Sequence, residues 1–211
     1  MLYSKERGWY FVHVPKNAGT TITRMYSENQ DVRKFCQIER ARHETHHNKA
    51  SFWQWSEFTN GLMPVAILRN PFDRCLSLYT YNLERASRNL DEEWGKWDHA
   101  RLTREGFKGS WMDGGFFVDG HGIEFEYSEE TGRAWSQSDD QFSWLEGVSG
   151  ARWFRVEDQL DDFCRFTGLP KPQKKINQSI RGNYKFYFDK ELREQIEILF
   201  KRDLDLGGYQ F

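Results

Sequence analysis

Apolar residues gather in three short runs, and each run is followed by a segment with helical spacing. The first run, Trp9-Tyr10-Phe11-Val12-His13-Val14, is β-prone and is stopped by Pro15. A loop over residues 15–19 follows, and a helix starts near Thr20 and runs toward Tyr26. The second run, Val65-Ala66-Ile67-Leu68, is continuously apolar, as a buried parallel strand is. It ends in Arg69-Asn70-Pro71, where Asn70 is a good N-cap and Pro71 a good first helical residue. The helix after it carries Phe72, Cys75, Leu76, Tyr79 and Leu83 on one face, with Arg74, Ser77 and Tyr81 on the face away from the core. Residues 152–156 predict a third strand. A helix over 158–167 shows Leu160, Phe163, Cys164 and Thr167 on one side and stops at Gly168 and Pro170. A last helix over 189–204 aligns Leu192, Ile196, Leu199 and Phe200. Strand then helix, three times over, is the order of an α/β domain with a central parallel sheet flanked by helices.

Residues 85–150 break this rhythm. They are rich in Gly, Trp and charge and weakly periodic, and are expected to form an irregular insertion of loops and short helices within a single domain spanning residues 1–211. No repeat, low-complexity tract or linker interrupts the chain.

Composition narrows the class. Only 38% of residues are hydrophobic but 17% are aromatic, so the core is expected to be aromatic rather than aliphatic, which argues against disorder. Thirty Lys+Arg against thirty-two Asp+Glu leave a net charge of -2, which excludes a polycation built to coat nucleic acid. No window of ~18 apolar residues exists to span a bilayer. The segment Met1-Leu2-Tyr3-Ser4-Lys5-Glu6-Arg7 lacks the apolar stretch of a secretory signal. Cys36, Cys75 and Cys164 are scattered and odd in number, so reduced thiols in a cytoplasmic protein are expected. The triplet Asn177-Gln178-Ser179 then has no bearing as a glycosylation site.

Two signals point to phosphate. In His13-Val14-Pro15-Lys16-Asn17-Ala18-Gly19-Thr20-Thr21 the small residues let backbone N–H groups point inward at a helix N-terminus. Lys16 adds a charge, and Thr20 and Thr21 add hydroxyl donors. The alternative is an ordinary strand-to-helix turn with a solvated lysine. The order is not that of a Walker A loop, in which Lys directly precedes the helix. The second signal is Arg69-x-Pro71-x-x-Arg74-x-x-Ser77-x-Tyr79. Arg69 ends a strand, where open α/β sheets bind ligands, and Arg with Ser can grip one phosphate.

These two segments, in this order, resemble those of the sulfotransferases, and among them the branch of carbohydrate sulfotransferases such as the heparan and chondroitin enzymes. Phe154-Arg155-Val156-Glu157-Asp158 with Asp162-Phe163, Asn177-Gln178-Ser179, and the ending from Phe200-Lys201-Arg202-Asp203 to Gly208-Tyr209-Gln210-Phe211 fit the same pattern. The resemblance implies a three-layer, P-loop-like fold and 3′-phosphoadenosine 5′-phosphosulfate (PAPS) as co-substrate, with adenosine 3′,5′-bisphosphate (PAP) as product. It implies that Lys16, Asn17, Ala18, Gly19, Thr20 and Thr21 hold the 5′-phosphosulfate end. Arg69 and Ser77 hold the 3′-phosphate, with Arg181 and Gly182 as a further contact. With no anchor in the sequence, the soluble bacterial and viral members are the better comparison. The acceptor is expected to be a hydroxyl met by residues 85–150, first of all on a carbohydrate, with tyrosine, lipid and small-molecule acceptors left open, as is the oligomeric state.

In such a transfer Lys16 is the candidate to stabilise the leaving phosphate, and no metal need follow, because a cation cradle can serve. The general base is sought in Arg42-His43-Glu44-Thr45-His46-His47, with His43 first, His46 second and His47 third. A histidine there can equally be merely solvated. His43-Glu44-Thr45-His46-His47 also spells the zinc-protease signature H-E-x-x-H, but its flanks are polar where a metal-bearing helix is apolar on one side. A kinase-like phosphotransferase needs an acidic metal ligand after a strand, where Arg69 stands. A nucleotide-binding module without transfer activity is the remaining rival. Trp94, Trp97, Trp111, Trp135 and Trp144 can stack on a sugar or fill a core poor in Leu and Ile. Arg85, Arg88, Arg101, Arg104 and Lys108 alternate with acidic residues and read by default as a mixed solvated face.

Overall fold

The computed structural model describes residues 1–38, 49–53, 57–88, 93–118, 124–128, 133–136, 138–172 and 182–211. In chain order its elements begin with strands β1 (Leu2–Ser4) and β2 (Trp9–Val12), helices α1 (Gly19–Glu28) and α2 (Gln30–Phe35), strand β3 (Gln37–Ile38) and the short helix α3 (Ala50–Trp53). Strand β4 (Met63–Leu68) and helices α4 (Pro71–Arg88) and α5 (Glu93–Trp111) follow, then the hairpin strands β5 (Glu124–Ser128) and β6 (Arg133–Ser136). Strand β7 (Arg152–Arg155) and helices α6 (Leu160–Thr167), α7 (Lys190–Leu199) and α8 (Lys201–Gly207) complete the chain, with 3-10 turns at Gln141–Leu145 and Tyr184–Tyr187. Two compact units result, Met1–Arg69 with Gln141–Gln178, and Asn70–Asp140 with Ser179–Phe211.

The first unit holds a five-stranded sheet in the order β3-β1-β2-β4-β7. The three expected strands lie side by side and parallel, with Val12 beside Ala66 and Ala66 beside Trp153. The expectation of a parallel sheet holds for these strands only. β1 pairs antiparallel with β2, Leu2 facing Phe11, and β3 pairs antiparallel with β1. The turn into β2 passes through Gly8 at φ 73, a conformation that glycine adopts without a Cβ penalty. The first residues, read above only for a signal, thus form a strand whose three residues are all buried. Beneath the sheet pack Trp9, Phe11, Ile22, Val65, Ile67, Phe154 and Phe163. Phe163 meets Phe11 and Phe154 edge-on at 5.9 and 5.7 Å, the favoured geometry for aromatic pairs. α6 ends as expected at Gly168, whose φ is 75 and whose N–H donates to the Cys164 carbonyl at 2.8 Å. A Cβ there would stand 2.4 Å from the Arg7 guanidinium.

The second unit is built on α4. Asn70 Oδ1 accepts the Phe72 N–H at 3.0 Å, the cap expected of it. Its Nδ2 donates to the Gln210 carbonyl at 2.9 Å and to the Tyr184 hydroxyl at 3.3 Å, so one side chain starts the helix and holds the C-terminal tail. Phe72, Cys75, Leu78, Leu102, Trp111, Phe117, Leu192, Ile196 and Phe200 form an aromatic-rich core. α5 lies in the stretch expected to be irregular. Gly106, at φ 64 and ψ -172, kinks it and shifts the phase of the apolar positions, which is why no single 3.6-residue period runs through the segment. The last expected helix is likewise two, α7 and α8, broken at Phe200, whose ring packs 5.7 Å from Trp111. Among the described residues no helix is long and apolar enough to cross a membrane.

The second face of α4 corrects the sequence reading. Tyr81 is exposed, but Arg74 and Ser77 are buried, Arg74 to 1% exposure. Arg74 Nη1 donates to the Asp139 carbonyl at 2.8 Å, and its guanidinium lies 6.0 Å over the Phe200 ring. Burial lowers its pKa, and the field of Asp203, itself wholly buried, favours the charged form. α4 is therefore covered on two sides, which hydrophobic spacing alone does not disclose. Replacing Arg74 by Ala removes the cation facing Asp203 and is expected to cost about 3–5 kcal/mol of stability, read by urea denaturation. A loss below about 1 kcal/mol would show that Asp203 is compensated without it.

Candidate phosphate-binding site

β2 runs out at Val12 into a tight loop. The Val14 N–H donates to the Val12 carbonyl at 3.1 Å and the Asn17 N–H to the Val14 carbonyl at 3.4 Å. Lys16 and Ala18 both occupy the left-handed region, at φ 66 and 63. For residues with a Cβ this costs about 1–3 kcal/mol each and persists only where the surroundings over-determine it. Ala18 is the N-cap of α1, and no side chain caps the helix. The first intrahelical bond is Ile22 N–H to the Ala18 carbonyl at 3.2 Å, so the N–H groups of Gly19, Thr20 and Thr21 precede it. Such a helix start offers aligned donors and a positive dipole end to an anion. A Cβ on Gly19 would stand 1.8 Å from His13 Nε2, so glycine at this position lets the imidazole lie where it does, and a larger residue forces the ring to shift. Nothing in the sequence around His13 signals this contact.

The loop is tied to the end of β4. Asn17 is buried, and its Nδ2 donates to the Ile67 carbonyl at 3.0 Å and to Gln141 Oε1 at 2.5 Å. Its Oδ1 is buried without a partner. Gln141 Oε1 also accepts the Arg69 N–H at 2.8 Å, and Gln141 Nε2 donates to the Arg69 carbonyl at 2.8 Å. Arg69 Nη1 donates to the Lys16 carbonyl at 3.1 Å. The structure thus brings Lys16, Asn17, Ala18, Gly19, Thr20 and Thr21 together with Arg69 in the first unit. Gln141 went unread in the sequence, because a lone glutamine in an irregular stretch carries no periodic or motif signal.

The other expected residues fare differently. Ser77 lies buried on α4 in the second unit. Gly182 is exposed and precedes Asn183, whose Oδ1 accepts the Lys185 N–H at 3.0 Å. His43, His46, His47, Arg181 and the Asn177-Gln178-Ser179 triplet lie outside the described residues, as do the side chains of Trp94, Trp97 and Trp135. Trp111 and Trp144 are core residues, at 1% and 0% exposure. Arg88 pairs with Glu84, and Lys108 with Asp189 at 2.8 Å and with Glu191, in a mixed charged surface, whereas Arg101 departs from the expected solvated face: it is buried and pairs with Glu105 at 2.6 Å.

The cysteines are poor candidates for nucleophilic chemistry. Burial pushes the Cys36 thiol up to about 12 and the Cys164 thiol to about 11, and raises Cys75 further still, which withholds a thiolate near neutrality. Among the described residues no group of three or more His, Cys, Asp or Glu side chains is gathered as for a metal ion.

The contact between His13 and Gly19 is testable by stability alone. Gly19→Ala forces the ring aside and is expected to cost about 1–3 kcal/mol in thermal denaturation. In the double variant with His13→Ala the total loss is expected to fall short of the sum of the singles by about 1 kcal/mol. Strict additivity would mean that the ring moves away freely.

A family model described as the sulfotransferase family matches residues 1–115, more than half of the 211 residues. The matched stretch runs from β1 past α5 and contains both the loop after β2 and the segment from Arg69 to Tyr79. No curated protein and no solved structure matches the chain. With its family model covering this much of it, the chain belongs to the sulfotransferase family.

Proposed function

We propose that the protein transfers a sulfuryl group from PAPS to an acceptor hydroxyl on a carbohydrate. The observation that carries this reading is the uncapped start of α1, reached through the left-handed Lys16 and Ala18 and joined to Arg69. The donors there suit a phosphosulfate end. Lys16, Ala18, Gly19, Thr20 and Thr21 hold that end, and Asn17 contributes by holding the loop, because both hydrogens of its amide are engaged within the protein. The family resemblance assigns the 3′-phosphate to Arg69 and Ser77, with Arg181 and Gly182 as a further contact, and gives acceptor contacts to residues 85–150 of a single catalytic domain.

The chemistry follows from charge. The bond between sulfur and the bridging phosphate oxygen breaks as a bond from sulfur to the acceptor oxygen forms. The acceptor proton passes to a base, His43 first and His46 second. Negative charge gathers on the departing phosphate oxygen, and Lys16 is the cation next to the helix start to meet it. A metal is not required by this scheme. A kinase-like reaction is disfavoured by Arg69, which puts a cation where a metal-binding carboxylate would be needed. Three free, buried cysteines fit a reducing, cytoplasmic location.

Calorimetric titration with PAP, without added metal, is the test. Saturable binding is expected, abolished in Lys16→Ala and weakened about tenfold or more in Arg69→Ala and Ser77→Ala, since each removes one hydrogen bond to a charged group. An intact protein that does not bind PAP rejects the donor. Binding without transfer to any acceptor on a carbohydrate panel favours a nucleotide-binding module. His43→Ala is expected to keep PAP affinity and lose turnover; unchanged turnover moves the role to His46.

A further inference from the structure

Beyond the last residue of a strand, backbone groups lose their neighbours in the sheet and need other partners. Arg69, the first residue after β4, finds them in one side chain. The Gln141 carboxamide accepts its N–H and donates to its carbonyl, both at 2.8 Å, as an adjacent strand would. The same Oε1 accepts Asn17 Nδ2 at 2.5 Å, and Arg69 Nη1 returns to the Lys16 carbonyl at 3.1 Å. Lys16 and Asn17 are joined by a peptide bond, so Lys16, Asn17, Gln141 and Arg69 close a ring. Gln141 is fully buried and opens the turn Gln141–Leu145, whose residues are all buried, so packing sets its position.

We infer that Gln141 is a positioning residue for the phosphate loop. It keeps Lys16 and Ala18 in their left-handed conformations and Arg69 against them, and donor affinity depends on it. This rests on the donor reading above. Without the ring, the strain at Lys16 and Ala18 favours relaxation toward ordinary backbone angles, which turns the loop's N–H groups away from a common centre. Asn17 is a weak anchor on its own, because its Oδ1 has no partner and its other bond is the single one to Ile67. The place calls for a neutral side chain that both donates and accepts. A carboxylate cannot donate to the Arg69 carbonyl, and an ammonium cannot accept from Asn17.

The test compares PAP affinity of the full chain with that of Gln141→Asn, which draws the amide back by one methylene, and Gln141→Met, which keeps the length and removes both hydrogen-bonding functions. Folding is checked by circular dichroism, and titration is done well below each melting temperature. Phe163→Leu, a core substitution in the same unit, serves as the control for lost stability. Both Gln141 variants are expected to bind PAP about tenfold more weakly or worse, while Phe163→Leu keeps wild-type affinity. If Gln141→Met does not fold, Gln141→Asn carries the comparison. Affinity within about twofold of wild type in a folded Gln141 variant, or an equal loss in Phe163→Leu, overturns the inference alone. A wild-type protein that does not bind PAP overturns the donor reading and the inference with it.

Discussion

The loop after β2 places two residues bearing a Cβ in the left-handed region within a span of three, and the rest of the site depends on that strain being held. A chain in this conformation directs successive N–H groups to one side, which is useful for an anion and unfavourable without support. Support comes from the parallel pairing of β2 with β4, which brings the Ile67 carbonyl and the Arg69 guanidinium beside the loop. The proposed anion site is thus a property of adjacent strand ends as much as of the loop.

The segment from Arg69 to Ser77 divides its labour. Arg69 is bound into the loop of the first unit. Asn70 starts α4 and holds the Gln210 carbonyl, so the cap and the tail of the second unit are secured by one amide. Arg74 is a core cation set against Asp203 rather than a surface contact. A compact sequence pattern therefore combines a residue proposed to serve binding with residues that serve folding. Asp203 and Gln210, near the C-terminus, belong with that segment because they answer Arg74 and Asn70.

Much of the scaffold was legible. β2, β4 and β7 and helices α1, α4 and α6 announce themselves through apolar runs, an N-cap at Asn70 and a stop at Gly168, all of which are local physics. β1 and β3 were not, since strands of three and two residues offer no readable alternation. α5 was hidden by the kink at Gly106, and the separation of α7 from α8 by the single residue Phe200. In the site, Lys16, Gly19 and Arg69 were legible from their type and spacing.

By itself the sequence determined the α/β order, the aromatic character of the cores and the two segments proposed to bind anions, because these rest on neighbours along the chain. Only the tertiary structure decided that the β3 and β1 end of the sheet is antiparallel, that Arg74 is buried in the field of Asp203, that His13 lies on Gly19, and that Gln141 closes the ring around Asn17 and Arg69. Each of these joins groups whose partners are chosen by strand pairing and burial, and a buried polar group must find its partner wherever the fold has placed one.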